Sequence, residues 1–297
     1  MTLFLENGRF PRQIMSVVVT AVVLFGVSGI AATRSFAADG NLNKLLPEAI
    51  RQAGEIHVAA NTAYPPFAFQ AADGRSTGLE PTIVRALAEK LGIKATFTSI
   101  DFATVLPSIS AGRFDVGVAG YSDTTERQKV VDFVNYLYAV DGLVVLKGNP
   151  NKLSTASLCG KTISSSQGSY QTVNLNDLSD ACVKSGKPAI KMQVFQGTPA
   201  QIVALRSHRV QGSNIDYAVA AYMVQKESDA LEQVPGIVAN ASGKKLLMGM
   251  ILKKGNLKLA EALKAALNAI VADGTYAKIL DQWHISKEAK IKEATID

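Results

Sequence analysis

The sequence predicts an α/β fold built in two halves, each a mainly parallel sheet with helices packed against it. Two observations predict it: short apolar strands alternate with amphipathic helices along most of the chain, and the same order recurs after residue 142. Of the 297 residues, 47% are hydrophobic and 19% are charged, which is enough apolar material to bury a sizeable core. Because open α/β sheets bind ligands beyond the carboxyl ends of their strands, a cleft between the two halves is the predicted binding site.

Local residue patterns predict the elements of the first half, which follow an amphipathic leading segment over 38–54. Alternating apolar residues predict a strand over 55–60, whereas the two prolines in Tyr64–Phe67 require a loop, since proline has no N–H to donate. Asp73-Gly74 predicts a turn of the kind that closes hairpins. A 3.6-residue apolar period predicts a helix that begins at Glu80-Pro81, with proline at its first position, and ends at Gly92. The remaining elements predicted here are a strand over 95–100, a helix over 102–111 and a strand over 114–119.

The second half repeats this order with its own strands and helices. Apolar runs predict strands over 143–146 and 161–165, and a helix is predicted over 199–207. The helix predicted over 256–272 is long, and its core face is formed by Leu259, Leu263, Leu267 and Ile270. Asp273-Gly274 ends that helix, and a last helix is predicted over 275–283.

Residues 1–37 have the pattern of a secretory signal. Arg9 and Arg12 precede an apolar stretch over 14–32, and the small residues of Ser35-Phe36-Ala37 follow it, which predicts cleavage after Ala37. A retained membrane anchor is the alternative, although glycine and serine dilute the apolar run. No cysteine follows the stretch at a lipid-attachment position, so the mature protein is expected to be free in the periplasm.

Charge and reactive residues exclude several classes of function. The formal net charge of +6 is scattered along the chain, whereas a nucleic-acid-binding protein would show a basic stripe with interleaved aromatic residues. The three histidines are far apart, without ligand spacing, so no metal site is predicted, and no motif calls for a cofactor. Cys159 and Cys182 form an isolated pair, which in an oxidising compartment predicts a disulfide; two buried thiols are the alternative.

Three segments stand out by their order and spacing. They are Asn61–Phe67, the run from Gly112 to Phe133 that includes Ala119-Gly120-Tyr121-Ser122-Asp123-Thr124-Thr125-Glu126-Arg127, and Ala272–Trp283. Together they resemble the extracellular solute-binding proteins of polar amino-acid ABC transporters. The resemblance extends over residues 55–285 and implies a two-lobed periplasmic-binding-protein fold of type II, with two hinge crossings and the ligand cleft between the lobes. The implied lobe 1 comprises 46–141 and 246–285, and lobe 2 comprises 142–245. The implied partners are an amino acid or opine-like ligand and the permease subunits of the transporter, with the binding protein itself a monomer.

The resemblance also implies which residues hold the ligand. Arg127 would bind the ligand carboxylate through two parallel charge-assisted hydrogen bonds, and Asp216 in the opposite lobe would bind the ammonium. Ser122, Gly120, Gly168 and Ser169 would add donors to the carboxylate, and the side-chain pocket would be walled by Tyr64, Phe102 and Tyr170. Each has a structural alternative: Arg127 as a surface residue of a short helix, Asp216 as a helix N-cap, and the aromatic rings as core.

Four positions depart from the family pattern. Asn61 stands where proteins selective for cationic amino acids commonly have Asp, which favours a neutral polar ligand. Asp123 replaces an apolar residue close to Arg127 and leaves the charge balance of the pocket open. Gln211 and His208 replace an acid and a glycine and are expected to be structural.

Two other functions are compatible with the same fold. A periplasmic dehydratase resembling cyclohexadienyl dehydratase would need a general acid or base over the ligand, and no predicted cleft position supplies a Glu or His for it. A ligand sensor is the other alternative. We therefore expect a transport receptor with no catalytic residue.

Overall fold

Strands and helices alternate as the hydrophobic pattern predicts in a computed structural model that describes residues 40–243, 246–286 and 289–297. The strands are β1 (Glu55–Ala60), β2 (Ala63–Tyr64), β3 (Ala68–Gln70), β4 (Ser76–Thr77), β5 (Lys94–Ser99), β6 (Val116–Val118), β7 (Val131–Ala139), β8 (Asp141–Leu146), β9 (Thr162–Ser166), β10 (Lys191–Phe195), β11 (Gly212–Asp216), β12 (Leu231–Gln233), β13 (Leu246–Lys253) and β14 (Thr295–Ile296). The helices are α1 (Gly40–Asn43), α2 (Glu48–Ala53), α3 (Leu79–Lys90), α4 (Phe102–Ser110), α5 (Thr125–Gln128), α6 (Tyr170–Lys184), α7 (Gly197–Arg206), α8 (Tyr217–Lys226), α9 (Leu257–Ala272) and α10 (Thr275–Gln282). The predicted signal segment, 1–37, lies outside the described residues.

Two main sheets divide the molecule into two lobes. Lobe 1 is built on the sheet with strand order β14-β7-β13-β6-β1-β5, and lobe 2 on the sheet with order β10-β9-β11-β8-β12. The pairs β1–β5, β1–β6, β9–β10 and β9–β11 are parallel, and the other pairs within the two sheets are antiparallel. The chain passes from β7 to β8 and returns from β12 to β13, so it crosses between the lobes twice.

Helix α9 closes the core of lobe 1. The face predicted from its apolar period is confirmed, because Leu259, Leu263, Leu267 and Ile270 are fully buried. Helices α3 and α10 pack beside it, and α3 also carries Glu80, a carboxylic acid that is only 1% exposed. An acid buried to that extent needs a reason, since transfer of a charged carboxylate out of water is costly.

Several predicted boundaries were wrong by one to three residues. Helix α3 begins at Leu79 with Gly78 as its N-cap, so Pro81 is at the third helical position and not the first. The strand predicted over 114–119 covers only Val116–Val118, and that predicted over 161–165 is Thr162–Ser166. The turn at Asp73-Gly74 was predicted correctly and joins the β3–β4 hairpin, with Gly74 at φ 79°.

Cys159 and Cys182 are disulfide-bonded, as predicted, with Cα atoms 5.6 Å apart. The bond ties α6 to the segment that precedes β9 in lobe 2. Within the described ranges, no helix is both long and apolar enough to traverse a bilayer. The same ranges hold no cluster of three or more His, Cys, Asp or Glu side chains that could bind a metal.

Candidate ligand cleft

A concavity lined by polar and aromatic residues lies where the parallel strands of both lobes end. Its volume is about 460 Å³, and residues that follow β1, β6, β9 and β11 line it, as expected for open α/β sheets. Every predicted ligand-binding residue except Gly168 lines it, namely Asn61, Tyr64, Phe102, Gly120, Ser122, Arg127, Ser169, Tyr170 and Asp216. The structure therefore brings together side chains that are up to 155 positions apart in sequence, from Asn61 to Asp216.

Arg127 is held in the cleft by acceptors from both lobes. It lies on the four-residue helix α5, whose N-cap Thr124 accepts a hydrogen bond from the Arg127 amide at 3.3 Å. Its Nη1 donates to the Ser122 carbonyl at 2.7 Å, and its Nη2 donates across the cleft to the Gly168 carbonyl at 2.9 Å. The guanidinium also lies 4.9 Å from the Tyr121 ring centroid, within cation–π range. Burial lowers the pKa of Arg127, although an arginine remains charged at any physiological pH.

The lobe 2 rim presents the N-terminus of α6 to this guanidinium. Ser169 is the N-cap of α6, and its side chain makes no capping hydrogen bond, so the first N–H groups of the helix are not capped by it. Gly168 has φ 73°, a left-handed conformation that favours glycine, and turns its carbonyl toward Arg127. In this structure the carbonyl oxygen of Gly168 is the atom that contacts Arg127.

Asp216 is buried at the end of β11, 3% exposed. It occupies the N-cap position of α8, but its side chain caps nothing; instead Oδ2 accepts a hydrogen bond from the Tyr64 hydroxyl of lobe 1. Its Oδ1 is buried and has no hydrogen-bond partner among the described residues, and the same holds for both amide atoms of Asn214. A buried oxygen without a donor is costly, so the cleft is built to receive a hydrogen-bond donor at this point.

Asp216 and two other buried acids, Asp141 and Glu80, lie close together near the contact with Tyr64. Burial raises the pKa of Asp216 to about 6, an effect that Tyr64 and Arg127 partly oppose. Burial and the neighbouring Asp216 charge raise the pKa of Asp141, its register partner on β8, to about 8. Burial likewise raises the pKa of Glu80 to about 7. At neutral pH the Asp141–Asp216 pair therefore retains a proton and carries about one negative charge.

Aromatic rings form two walls of the cleft. Tyr64 stacks on Phe67 with centroids 5.6 Å apart, and Phe102 stacks on Tyr121 at 5.0 Å. A Cβ at Gly120 would approach the Tyr64 ring to 2.8 Å, so glycine is required there for the ring to lie flat against the backbone. Tyr64 and Phe102 both pack and line the cleft, so the two alternatives considered for them are compatible.

Several polar lining residues were missed by sequence reasoning. They are Thr104, Gln167, Gln196, Thr198, Gln201 and Asn214. The sequence could have indicated Asn214 as a cleft residue, because it lies two residues before Asp216 on the same face of a strand that is buried throughout. No sequence pattern indicated Gln201. It is a polar residue inside α7 that is fully buried and donates to Ser166 Oγ at 2.6 Å.

The departures from the family pattern have separate explanations. Asp123 points away from the ligand side and bonds Gln128 and Asn135 at 2.8 and 2.7 Å. Gln211 accepts from the Thr162 amide at 2.8 Å, at the start of β9, and is structural. His208 follows α7 with φ 57°, a conformation in which glycine is the usual residue.

Comparison with known proteins places this architecture in a family. The family model for bacterial extracellular solute-binding proteins, family 3, matches residues 56–286. The chain is 27% identical to the arginine-binding protein ArgT of Corynebacterium glutamicum over 86% of this chain and 82% of that protein. It is 28% identical to the L-cystine-binding protein TcyJ of Escherichia coli over 94% of this chain and 97% of that protein.

A solved structure shows the same arrangement. The chain is 31% identical, with a TM-score of 0.66, to an ancestral arginine-binding protein bound to arginine, over 77% of this chain and 98% of that one. The family match covers most of the chain and includes the cleft and the strands of both sheets other than β14 and the first residue of β1. The chain therefore belongs to the bacterial extracellular solute-binding proteins, family 3.

Proposed function

We propose that this protein is the periplasmic binding subunit of an ABC importer that captures an amino acid or amino-acid derivative. One observation carries the proposal: a fixed cation, Arg127, and a buried carboxylate, Asp216, face one cleft from opposite lobes. A zwitterion presents the complementary pair of charges. Curated relatives named for arginine and L-cystine binding support an amino-acid ligand.

The proposed binding mode uses the groups that are already held in place. The ligand carboxylate takes the position facing Arg127 and the N-terminus of α6, where backbone N–H groups and Ser169 add donors. The ammonium donates to Asp216, whose Oδ1 has no partner within the described residues. Each ligand charge thus finds a partner in a different lobe, which couples binding to closure of the lobes about the hinge.

We assign lobe 1 to residues 46–141 and 246–285, and lobe 2 to residues 142–245. The sheet composition supports this division, because β8 to β12 form one sheet and β13 returns to the other. The two crossings would then act as the hinge. Contacts already join the lobes, among them Tyr64–Asp216, Arg127–Gly168 and the ring pair Phe69–Tyr222 at 6.1 Å.

The side-chain end of the cleft favours a neutral polar ligand. Asn61 lies there, and its Oδ1 is used internally to accept the Ala63 amide at 3.2 Å. The neighbouring Gln167 and Gln196 are neutral amides that bond each other at 2.5 Å. Asp101 is the one further carboxylate that lines the described cleft, and it is exposed at the rim, where solvent screens its charge. Opine-like derivatives remain within this proposal.

Export and partners follow from the same assignment. Residues 1–37 would direct the chain to the periplasm and be removed, without lipid attachment, and a monomer would dock on the permease subunits. No catalytic role is proposed. The buried acid Glu80 is engaged by the Tyr136 hydroxyl at 2.6 Å and the Gly120 amide at 2.9 Å, and it does not line the cleft, so it is not placed as the acid of a dehydratase.

A thermal-shift screen of the mature protein against amino acids and opines tests the proposal. A ligand at 100 times its Kd should add about 2.7 kcal/mol of stability. The same screen on Asp101→Asn separates ligand classes, because only a cationic ligand would lose affinity. No stabilisation by any amino acid or opine, with turnover of a cyclohexadienyl acid to an aromatic product, would establish the dehydratase alternative instead.

A further inference from the structure

The segment over residues 289–297 lies beyond the family match and returns to lobe 1. The Ile291 amide donates to the Tyr276 hydroxyl at 3.3 Å, and the Ala294 amide donates to Asn268 Oδ1 at 2.8 Å. Strand β14 then pairs antiparallel with β7 at the edge of the sheet, and the Phe133 amide donates to the Asp297 carbonyl at 2.8 Å. These contacts fix the segment against the lobe that carries Arg127.

Asn135 of β7 joins this segment to the binding loop. Its side chain is fully buried, and Nδ2 lies 2.7 Å from Asp123 Oδ2, 2.8 Å from Asp297 Oδ2 and 3.1 Å from Thr295 Oγ1. One amide group therefore connects two carboxyl groups that are distant in sequence. Asp123, which has no role at the ligand side of the cleft, is accounted for by this contact.

Asp123 in turn makes hydrogen bonds on both sides of the short segment that contains Arg127. Its backbone amide donates to the Leu247 carbonyl of β13 at 2.7 Å. Its Oδ1 accepts from Gln128 at the end of α5 at 2.8 Å, which closes a loop over residues 124–127 that includes Arg127. A continuous chain of side-chain hydrogen bonds thus runs from Asp297 through Asn135 and Asp123 to the helix of Arg127.

We infer that Asp297 and β14, acting through Asn135 and Asp123, are positioning residues that hold Arg127 in its ligand-binding orientation. The inference rests on the proposed role of Arg127 as the carboxylate clamp. If the Arg127 guanidinium is displaced by a fraction of an ångström, it loses its two parallel hydrogen bonds to the ligand carboxylate. Hydrogen bonds that hold α5 in place therefore raise affinity although they do not contact the ligand.

The two carboxyl groups give this tie a pH dependence. Burial raises the pKa of Asp123, Asn135 and Gln128 oppose the rise, and Asp297 adds to it by charge and by a shared hydrogen bond. The charged groups that face Asp123 are Arg127 from α5 and Asp297, which follows β14, while β7 and β13 present the Asn135 amide and the Leu247 carbonyl. A raised pKa means that the stabilising contribution of Asp123 is present at low pH, while its carboxyl group is protonated. It is lost as pH rises and Asp123 ionises beside Asp297.

The test compares Asp297→Ala, Asp297→Asn and the matched control Lys290→Ala in the complete mature chain. Lys290 lies in the same segment, where its ion pair with Asp281 is remote from Asn135. Amide hydrogen exchange over residues 122–130 is measured without added amino acid, and affinity is measured by calorimetry with L-glutamine and L-arginine. We expect Asp297→Ala to speed exchange and to weaken binding about 3- to 30-fold, and Lys290→Ala to change neither.

Asp297→Asn distinguishes positioning from general packing. The asparagine can still accept from Asn135 and can donate to Asp123, so exchange and affinity should be restored, and the loosening of residues 122–130 expected in wild type at rising pH should disappear. Unchanged exchange in Asp297→Ala overturns the inference, as does faster exchange with unchanged affinity. If neither these two amino acids nor any other amino acid or opine of the thermal-shift screen binds wild type, the proposed function fails, and the exchange data alone decide whether Asp297 holds the Arg127 segment.

Discussion

Arg127 makes its two guanidinium hydrogen bonds to backbone carbonyls, Ser122 in its own lobe and Gly168 in the other. A ligand carboxylate between the lobes is a better acceptor than either, because both partners are then charged. In the proposed function, the Nη1 and Nη2 groups of Arg127 hydrogen-bond to both lobes without ligand and to the ligand carboxylate when it is bound. The Tyr121 ring, with its centroid 4.9 Å from the guanidinium, adds a cation–π contact that helps to hold the group in place.

Replacement of Arg127 by alanine should nearly abolish binding. Loss of the guanidinium leaves a desolvated ligand carboxylate unpaired, which typically costs 2–5 kcal/mol, or about 30- to 5,000-fold in affinity. Arg127→Lys should fail to restore most of this loss, because a lysine cannot supply two parallel bonds. Titration calorimetry measures both, with Lys129→Ala on the exposed side of the same turn as the control. Binding by Arg127→Ala within threefold of wild type would show that the carboxylate lies elsewhere.

The Asp216→Asn substitution should stabilise the fold while it weakens ligand binding. Burial raises the pKa of Asp216 to about 6, so its stabilising contribution is present below the unfolded value and lost as pH rises through about 6. At pH 7 the ionised carboxylate therefore costs stability, and the Asp216→Asn substitution should raise the free energy of unfolding by about 1–3 kcal/mol. The same variant should lose ammonium binding.

The pH profile of wild-type affinity checks this assignment. Protonation of the Asp141–Asp216 pair removes the charge that the ammonium needs, so affinity should fall tenfold per pH unit well below about 6. Chemical denaturation and calorimetry between pH 5 and pH 8 supply both curves. An affinity independent of pH over this interval, or an Asp216→Asn variant less stable than wild type at pH 7, would contradict the role given to Asp216.

At the scale of elements, α6 is the part of lobe 2 on which the rim of the cleft depends. Its N-terminus, at Ser169 and Tyr170, faces Arg127, and its last turn carries Cys182. Its hydrophobic contact with the rest of the lobe is modest, with Gln171, Asn174, Leu175 and Cys182 as its buried residues. The disulfide to Cys159 therefore secures the far end of a helix whose near end lines the cleft.

Replacement of both cysteines by serine should destabilise the protein without moving the cleft. A closed loop with a sequence separation of 23 residues gains about 3 kcal/mol in the chain-entropy treatment. Denaturant unfolding of oxidised wild type and of the double variant should differ by about this amount, while the Kd of the ligand found in the screen changes less than threefold. A double variant as stable as wild type would mean that packing alone holds α6.

The elements that sequence reasoning identified are those whose signal is local. The core face of α9 follows from apolar spacing, and the hairpin turn from Asp73-Gly74. Strand β14 was missed because two residues carry no periodic signal, and its pairing with β7 joins positions 160 or more apart, as in Asn135 and Thr295. The proposed clamp residues were named through the resemblance, whereas a buried network such as Asp123–Asn135–Asp297 depends on a fold that no local pattern specifies.

For the whole molecule, the first expectation concerns export. Ser35-Phe36-Ala37 after an apolar stretch predicts cleavage that leaves Ala38 as the first residue. N-terminal sequencing of periplasmic material should begin there, and Ala37→Leu, which removes the small residue before the cut, should slow processing. Full-length chain recovered in the membrane fraction from wild type would instead support the anchor alternative.

The last expectation concerns motion of the two lobes. Tyr64–Asp216 and Arg127–Gly168 join the lobes directly, and a zwitterion that contacts Arg127 and Asp216 adds further bonds only when the lobes are close. Such a ligand at about 100 times its Kd can shift an open–closed equilibrium by up to about 2.7 kcal/mol, enough to convert an even mixture to about 99% closed. X-ray scattering of the mature protein should therefore show a smaller radius of gyration on addition of the ligand found in the screen. Arg127→Ala at the same ligand concentration should show no change.

Tyr64→Phe removes one direct bond between the lobes, so its ligand-free form should be more open than wild type and its ligand-induced compaction larger. If wild type binds tightly without any compaction while Tyr64→Phe matches it in both states, the two lobes are already closed by their own contacts, and the ligand does not drive the hinge.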